Sequence, residues 1–213
     1  MSDWLQRLKQ QRAIAVIRAP QMSVAYQMAM AVAAGGMQLI EITWNSDRAP
    51  ELITQLRSEL SDCLVGTGTL LDIYHTEEAI AAGAQFLFTP HVDPAIMQLA
   101  INSGVPIIPG ALTPTEIVTA YARGASCVKV FPVQAVGGAS YIRSLQGPIA
   151  NIPLIPTGGV TLENAAEFLQ AGAIAVGLSG QLFPRQLVDT GNWSAVTQQA
   201  KKLIQLVNSQ KRS

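Results

Sequence analysis

Short runs of apolar residues recur along the chain, and most of them follow a glycine. Five segments share one plan, in which a helix-like end is followed by a glycine and then by four to six apolar residues. They are AAGGMQLIEIT (33–43), AAGAQFLFTP (81–90), NSGVPIIPG (102–110), ARGASCVKVFP (122–132) and QAGAIAVGLS (170–179). A glycine at the end of a helix, followed by a continuous apolar run, is typical of the entry into a buried parallel strand. The pattern therefore predicts a parallel α/β protein.

The spacing of these segments indicates a repeating unit. Gly83, Gly104 and Gly124 are about 20 residues apart, and Gly172 follows Gly124 by 48 residues, the length of two units. Three further apolar runs complete the series, namely AIAVIR (13–18), CLVGTG (63–68) and IPLIPTGG (152–159). Eight strands that alternate with eight helices predict a (β/α)8 TIM barrel, formed by residues 1–213 as a single domain.

Signals for helix starts lie between the predicted strands. In TPTE (113–116), a capping threonine, a proline at the first helical position and a capping-box glutamate occur together. Asp93 precedes a proline in a less complete version of this signal, and Asp72 and Thr161 are candidate caps. These signals support helices after the third, fourth, fifth and seventh strands.

A short amphipathic helix is predicted before the first strand. In MSDWLQRLKQQ (1–11), Trp4, Leu5 and Leu8 lie on one helical face. The segment has an early acidic residue and lacks the central apolar stretch of a signal peptide, so it is not typical of a secretory signal. The alternative to a barrel is an open doubly wound sheet, which carries a glycine-rich fingerprint after its first strand. RAPQMS (18–23) contains no glycine, which favours the barrel.

Composition and charge narrow the classes of function. Hydrophobic residues make up 49% of the chain and charged residues 13%, which is ample material for a large core. The formal net charge is zero, which argues against nucleic acid or an anionic membrane surface as the main partner. No apolar run reaches the roughly 18 residues that a bilayer span requires. Cys63 and Cys127 form no CxxC motif, so we expect reduced core cysteines in a cytoplasmic protein.

One lysine stands inside the apolar run SCVKVFPV (126–133). Alternation along a strand places Cys127, Lys129 and Phe131 on one face and the neighbouring valines on the other. Because the valines suit the outer face under the helices, Lys129 is expected to point into the barrel. Desolvation lowers the pKa of a lysine, and the neutral amine is a nucleophile toward carbonyl groups.

Polar residues gather at the carboxyl ends of the predicted strands, where the active site of a barrel lies. They include Arg18, Glu41, Thr43, Thr67, Thr69, Thr89, His91, Lys129, Thr157 and Ser179. Glu41 on strand two and Lys129 on strand six share interior layers, so we expect them to approach one another. The carboxylate would then shuttle protons during the formation and dehydration of a carbinolamine. The alternative is a buried ion pair without chemistry.

The last two predicted strands end in glycine-rich turns. TGGVTLEN (157–164) and GLSG (177–180) together predict a phosphate site, because loops at these positions bind phosphate through backbone N–H groups. The alternative is a pair of ordinary turns. His75 and His91 lack metal-ligand spacing, which argues against a metal mechanism.

Nearly end to end, the chain resembles the KDPG and KHG aldolases. These class I aldolases cleave 2-keto-3-deoxy-6-phosphogluconate (KDPG), and the group includes enzymes for 2-keto-4-hydroxyglutarate (KHG) and for the phosphogalactonate epimer. The segments that carry the resemblance are AVIRA, GGMQLIEIT, GTGTLL, TPHVD, IPGALTPTE, VKVFP and PTGGVTLEN. The resemblance implies a cytosolic (β/α)8 barrel without metal or other cofactor, usually a homotrimer, with a phosphorylated keto acid as substrate.

The resemblance also implies residue roles. Lys129 in VKVFP corresponds to the Schiff-base lysine, and Glu41 in IEIT to the general acid and base. Thr69 corresponds to a residue near the pyruvyl carboxylate. The predicted substrate-binding residues are Arg18, Thr69, Pro90, Phe131, Thr157, Gly158, Gly159, Ser179 and Gly180. The expected reaction is the reversible cleavage of KDPG to pyruvate and glyceraldehyde 3-phosphate, and also of KHG to pyruvate and glyoxylate.

Two departures from the sequence pattern of the family leave alternative functions open. Asn45 stands where one branch has an arginine that helps to hold a carboxylate, and EITWNS (41–46) resembles the phosphogalactonate branch. Arg18 would then supply the positive charge. Ser179-Gly180 reverses the Gly-Ser order of relatives. The alternatives are therefore a phosphogalactonate aldolase, or a phosphate-binding isomerase, synthase or sensor that does not need its lysine.

Overall fold

The structure is a computed structural model that describes residues 3–209, so Met1 and Ser2 of the predicted N-terminal helix and residues 210–213 lie outside it. The strands are β1 (Ala13–Ile17), β2 (Leu39–Thr43), β3 (Leu64–Gly68), β4 (Leu87–Phe88), β5 (Ile107–Ile108), β6 (Gly110–Ala111), β7 (Val128–Val130), β8 (Leu154–Pro156) and β9 (Val176–Leu178). The helices are α1 (Asp3–Gln11), α2 (Met22–Ala34), α3 (Ala49–Glu59), α4 (Ile73–Ala81), α5 (Pro94–Asn102), α6 (Pro114–Ala122), α7 (Ala139–Ile149), α8 (Ala165–Gln170), α9 (Arg185–Asp189) and α10 (Trp193–Ser209).

The strands form a curled parallel arrangement in two sheets. One sheet has the order β5-β4-β3-β2-β1-β9 and the other the order β6-β7-β8. An isolated parallel bridge between Thr157 and Gly177 connects the end of β8 to β9. Strands and helices alternate along the chain, so the predicted α/β class is confirmed, and each of the eight predicted strand segments contains strand structure.

The fifth predicted strand is divided into β5 and β6 at Pro109. Proline has no N–H group to donate to a neighbouring strand, which interrupts regular pairing there. β5 pairs with β4 through Leu87 and Ile107, whereas β6 pairs with β7 through Gly110 and Lys129. The two sheets therefore meet at this proline.

The buried side chains form two clusters on opposite faces of the strands. The outer cluster lies between strands and helices and includes Val128 and Val130. The inner cluster includes Cys127, with Ile14 and Phe88 from other strands. The predicted alternation along β7 is therefore confirmed. Cys63 and Cys127 are free and buried, as predicted.

Helix α1 covers the inner cluster at the amino ends of the strands. Trp4 and Leu8 are buried and Leu5 is half-buried, so the predicted apolar face is confirmed. Trp4 and Leu8 belong to the inner cluster together with Leu39, the first residue of β2. This end of the strands is therefore filled by apolar side chains.

The helix-start signals act as predicted. Thr113 and Glu116 form a complete capping box, and the carboxylates of Asp93 and Asp72 each accept backbone N–H groups of their helices. Thr161 accepts from the N–H of Asn164, but the regular helix α8 begins only at Ala165. Asn164 Oδ1 accepts from the N–H of Thr161 in return, and Ala165 N donates to Thr161 O, so Thr161 caps a turn that leads directly into the helix.

None of the helices between residues 3 and 209 combines the length and the hydropathy that a transmembrane span requires.

Candidate active site

A cavity with a volume of about 760 Å³ opens at the carboxyl ends of the strands. It is lined by residues from loops and strands across both sheets, and all eleven predicted site residues are among them. These are Arg18, Glu41, Thr69, Pro90, Lys129, Phe131, Thr157, Gly158, Gly159, Ser179 and Gly180. The structure therefore brings the whole predicted set together, while the roles assigned to these residues stay predictions.

Lys129 lies at the centre of β7 and is only 6% exposed. Its Nζ is 4.7 Å from the centroid of the Phe131 ring and 5.8 Å from that of Phe88. Burial lowers the pKa of Lys129, the nearby carboxylate of Glu41 opposes this shift, and the charge of Arg18 reinforces it. The surroundings of Lys129 therefore make its neutral amine easier to form than that of a lysine in water.

Glu41 lies on β2 and is 2% exposed. Burial raises the pKa of its carboxyl group, and the positive charges of Lys129 and Arg18 oppose this shift. The pKa values of Glu41 and Lys129 thus move toward each other. Proton exchange between a carboxyl group and an amine becomes easier as their pKa values converge.

Gly68 makes room for the Glu41 carboxyl group. A Cβ added at Gly68 would collide with Glu41 Oε1 and would lie 2.6 Å from Glu41 Cδ. β2 and β3 are parallel neighbours with Thr43 opposite Gly68. The carboxyl group therefore lies against the β3 backbone, in space that only a glycine leaves free.

Thr69, which follows Gly68, has a positive φ of 64°. A β-branched residue rarely adopts this left-handed conformation, which costs on the order of 1–3 kcal/mol. Thr69 lines the cavity. A strained residue at this position fits a site in which the surrounding structure fixes the backbone for binding.

Arg18 lies at the rim, where its charge influences both Glu41 and Lys129. The loop after it is fixed to the loop after β2, since Ala19 N donates to Ser46 Oγ at 3.3 Å. Ser46 Oγ and Thr43 Oγ1 are hydrogen-bonded at 3.2 Å, and Thr43 lines the cavity. A buried polar chain therefore runs from the cavity wall to the Arg18 loop.

The two glycine-rich turns lie side by side, since a parallel bridge joins Thr157 to Gly177. Gly158 and Gly159 have φ values of 83° and 95°, which L side chains rarely adopt. A Cβ at Gly158 would lie 3.2 Å from the Phe131 ring, and Asn164 Nδ2 donates to Gly159 O at 3.0 Å. The backbone of this turn is therefore exposed to the cavity in a fixed shape.

The sequence pattern did not identify all the residues that line the cavity, and His91 is not among the lining residues. His91 follows the fourth predicted strand, but none of the described residues that line the cavity is a histidine. Missed residues include Val16, Leu71, Val160 and Gln181. Leu71 and Gln181 lie shortly after strand ends, which is the one signal that pointed to them.

Within residues 3–209, no group of three or more histidine, cysteine, aspartate or glutamate side chains is arranged to hold a metal ion.

Comparisons with known proteins point to one family. A family model described as KDPG and KHG aldolase matches residues 5–199. The 2-dehydro-3-deoxy-phosphogluconate aldolase of Treponema pallidum (strain Nichols) is 34% identical over 200 residues, which cover 94% of this chain and 95% of the relative.

Solved structures give the same result. A KDPG aldolase from Legionella pneumophila, with pyruvate captured as a covalent carbinolamine intermediate, superposes with a TM-score of 0.87 at 26% identity and covers 95% of this chain and 98% of that chain. A native KDPGal structure superposes with a TM-score of 0.85 at 29% identity and covers 94% and 96% of the two chains.

Proposed function

Since the chain belongs to the KDPG and KHG aldolase family, we propose that it is a class I aldolase that reversibly cleaves KDPG to pyruvate and glyceraldehyde 3-phosphate. KHG, cleaved to pyruvate and glyoxylate, is a second substrate. The observation that carries the proposal is the pairing of a buried lysine and a buried carboxyl group in one cavity with shifted pKa values.

Lys129 is the nucleophile in this mechanism. Its neutral amine attacks the C2 ketone of the substrate and forms a C–N bond, which gives a carbinolamine. Glu41 gives a proton to the departing hydroxyl group, so that water leaves and an iminium forms. Burial favours the neutral amine, and this explains why a lysine occupies the centre of an apolar strand.

The iminium then accepts the electrons of the C3–C4 bond. Glu41, directly or through water, takes the proton of the C4 hydroxyl group as this bond breaks, and glyceraldehyde 3-phosphate leaves. The remaining enamine is protonated at C3, and hydrolysis of the resulting iminium releases pyruvate and returns Lys129 to the free amine.

The remaining cavity residues hold the two ends of the substrate. Arg18 and Thr69 bind the carboxylate, and Pro90 and Phe131 shape the wall around the pyruvyl carbons. The phosphate-binding residues are Thr157, Gly158, Gly159, Ser179 and Gly180, in the turns after β8 and β9. Positive φ values and the exposed backbone of the glycine turns support this assignment.

The proposal extends to architecture and assembly. The two sheets together form one closed (β/α)8 barrel, with residues 1–213 as a single domain. The sheet junction at Pro109 and the bridge between Thr157 and Gly177 support closure.

Family membership supports a cytoplasmic homotrimer without cofactor. Sedimentation equilibrium would give three times the mass of one chain, and a monomer at micromolar concentration would contradict the trimer.

The function is tested by measuring pyruvate release from KDPG, its phosphogalactonate epimer and KHG, with lactate dehydrogenase and NADH as the coupled reporter. In parallel, pyruvate is trapped on the protein with borohydride and the adduct is located by peptide mass spectrometry. KDPG cleavage with an adduct on Lys129 is the expected result. Preference for the epimer would move the assignment to the phosphogalactonate branch, and absence of any adduct would refute the class I mechanism.

Replacing Arg18 with methionine is expected to raise the KM for keto-acid substrates by roughly thirty-fold, with a smaller change in kcat. The reason is the loss of about 2 kcal/mol from a charged hydrogen bond to the substrate carboxylate. Steady-state kinetics checks this. The matched control is Arg185→Met, since Arg185 is an exposed arginine beside an adjoining pocket that Arg18 also lines. An unchanged KM in Arg18→Met would contradict the assignment.

The rate of imine formation with pyruvate is expected to rise with pH. Below its pKa, Lys129 carries a proton, and the protonated amine cannot attack the carbonyl carbon. Because burial lowers the pKa of Lys129, the rising limb should have its midpoint clearly below the 10.5 of an ordinary lysine. Borohydride trapping rates measured across pH check this, and a midpoint at the ordinary value would contradict it.

A further inference from the structure

An aromatic column crosses the interior from helix α1 to the Lys129 amine. The ring centroids of Trp4 and Phe86 are 4.7 Å apart, and Phe86 and Phe88 meet edge to face at 5.8 Å. The centroid of Phe88 is in turn 5.8 Å from Lys129 Nζ. Trp4, Phe86 and Phe88 are at most 4% exposed. The column therefore connects the amino end of the strands to the floor of the active-site cavity.

The chain makes specific room for this column. A Cβ at Gly66 would lie 2.5 and 2.6 Å from two carbons of the Phe86 ring, so the glycine is needed to seat the ring. The surrounding inner cluster is apolar, with Leu8, Ile14 and Leu39 around it. Apolar side chains therefore surround the rings on the α1 side of the strands.

The exclusion of water from the space below Lys129 Nζ affects the pKa of the amine and so its reactivity. Water that reached Nζ from the amino end of the strands would solvate the ammonium and return the pKa of Lys129 toward its ordinary value. A lysine with a higher pKa has less neutral amine at neutral pH, by a factor of ten for each unit. Sealing this end therefore affects catalysis without any contact to the substrate.

We propose that Trp4 is a positioning residue, which acts through Phe86 and Phe88 to keep a rigid and dry floor under the Lys129 amine. The docking of the N-terminal helix is thus part of the active site's construction. The catalytic interpretation rests on the proposed aldolase function, whereas the effect on the amine itself does not.

The charged groups that face Lys129 stay in place when the column is broken. They are Glu41 from β2 and Arg18 from the end of β1. Burial raises the pKa of the Cys127 thiol, which directly precedes β7, to about 12, so this neighbour stays neutral. The Phe88 ring is also retained in the variants below, so a change in the pKa of Lys129 reports hydration.

The test is the pKa of the Lys129 amine in Trp4→Leu and in Phe86→Leu, which breaks the same column at a second ring. The full chain is reductively methylated with ¹³C-formaldehyde, and the dimethylamine signals are titrated by NMR. The chain has five lysines, and the signal that is absent from Lys129→Met identifies Lys129. Trp4→Phe keeps a ring, and Phe168→Leu removes a buried ring from the outer cluster as a control for lost stability.

We expect the pKa of Lys129 to rise by about one unit or more in Trp4→Leu and Phe86→Leu, and to stay at the wild-type value in Trp4→Phe and Phe168→Leu. Pyruvate trapping at pH 7 should fall about tenfold in the first two variants and recover at higher pH. If either folded variant titrates like the wild type, the column is only core packing and the inference is wrong. If the wild type traps no pyruvate but the pKa shifts are found, the proposed function fails and the inference stands.

Discussion

Lys129→Met is expected to abolish aldol cleavage, with a loss in kcat on the order of 10⁴- to 10⁶-fold, as is typical when a covalent nucleophile is removed. Methionine has a similar length and suits the buried position, but it has no amine to form a carbinolamine. Borohydride should then trap no pyruvate on the protein. Coupled turnover assays and intact-protein mass spectrometry measure both effects.

The same variant separates catalysis from binding and from folding. Lys129→Met removes a buried charge but also the charge partner of the buried Glu41 carboxyl group, so circular dichroism and the thermal midpoint are measured to establish that the variant is folded. Lys201→Met removes an exposed lysine from α10 and should leave turnover unchanged. A non-catalytic phosphosugar sensor would keep its ligand affinity in Lys129→Met and would show no turnover in the wild type. Retained turnover in Lys129→Met would refute the Schiff-base mechanism.

The sequence was enough to place Lys129 and Glu41 in the same interior. Strand alternation and the pairing of even-numbered strands in a barrel need only the positions of apolar and polar residues. In the structure, Cys127 belongs to the inner cluster, Val128 belongs to the outer one, and the charges of Lys129 and Glu41 act on each other. These features follow from local periodicity, which a single sequence carries.

Other features depend on distances between segments far apart in the chain. The break at Pro109 required knowledge of which strands lie on each side of it, because a proline is tolerated at a strand edge. The turn that Thr161 caps ahead of α8 depends on reciprocal hydrogen bonds with Asn164, which the sequence pattern did not specify. Ser46 lies on a loop with no apolar pattern, so its link to the Arg18 loop had no signal in the sequence.

Gly68 is the clearest case of a residue whose function only the structure indicates. In the sequence it is one glycine of GTGT, and the predictions for this motif concern Thr69. In the structure, its missing side chain is the space that the Glu41 carboxyl group occupies. Gly68→Ala should therefore displace the general acid and base while every polar residue of the site is retained.

We expect Gly68→Ala to lower kcat by roughly 10²-fold, since a displacement of about 1 Å at a catalytic group has effects of this size. Both imine formation and C3–C4 cleavage should slow, because Glu41 moves protons in both steps. The matched control is Gly147→Ala in α7, where an added Cβ meets nothing within 4 Å and alanine favours the helix. Single-turnover rates, with circular dichroism to establish folding, measure the effect. Wild-type kcat in a folded Gly68→Ala protein would show that the carboxyl group does not act from the position seen here.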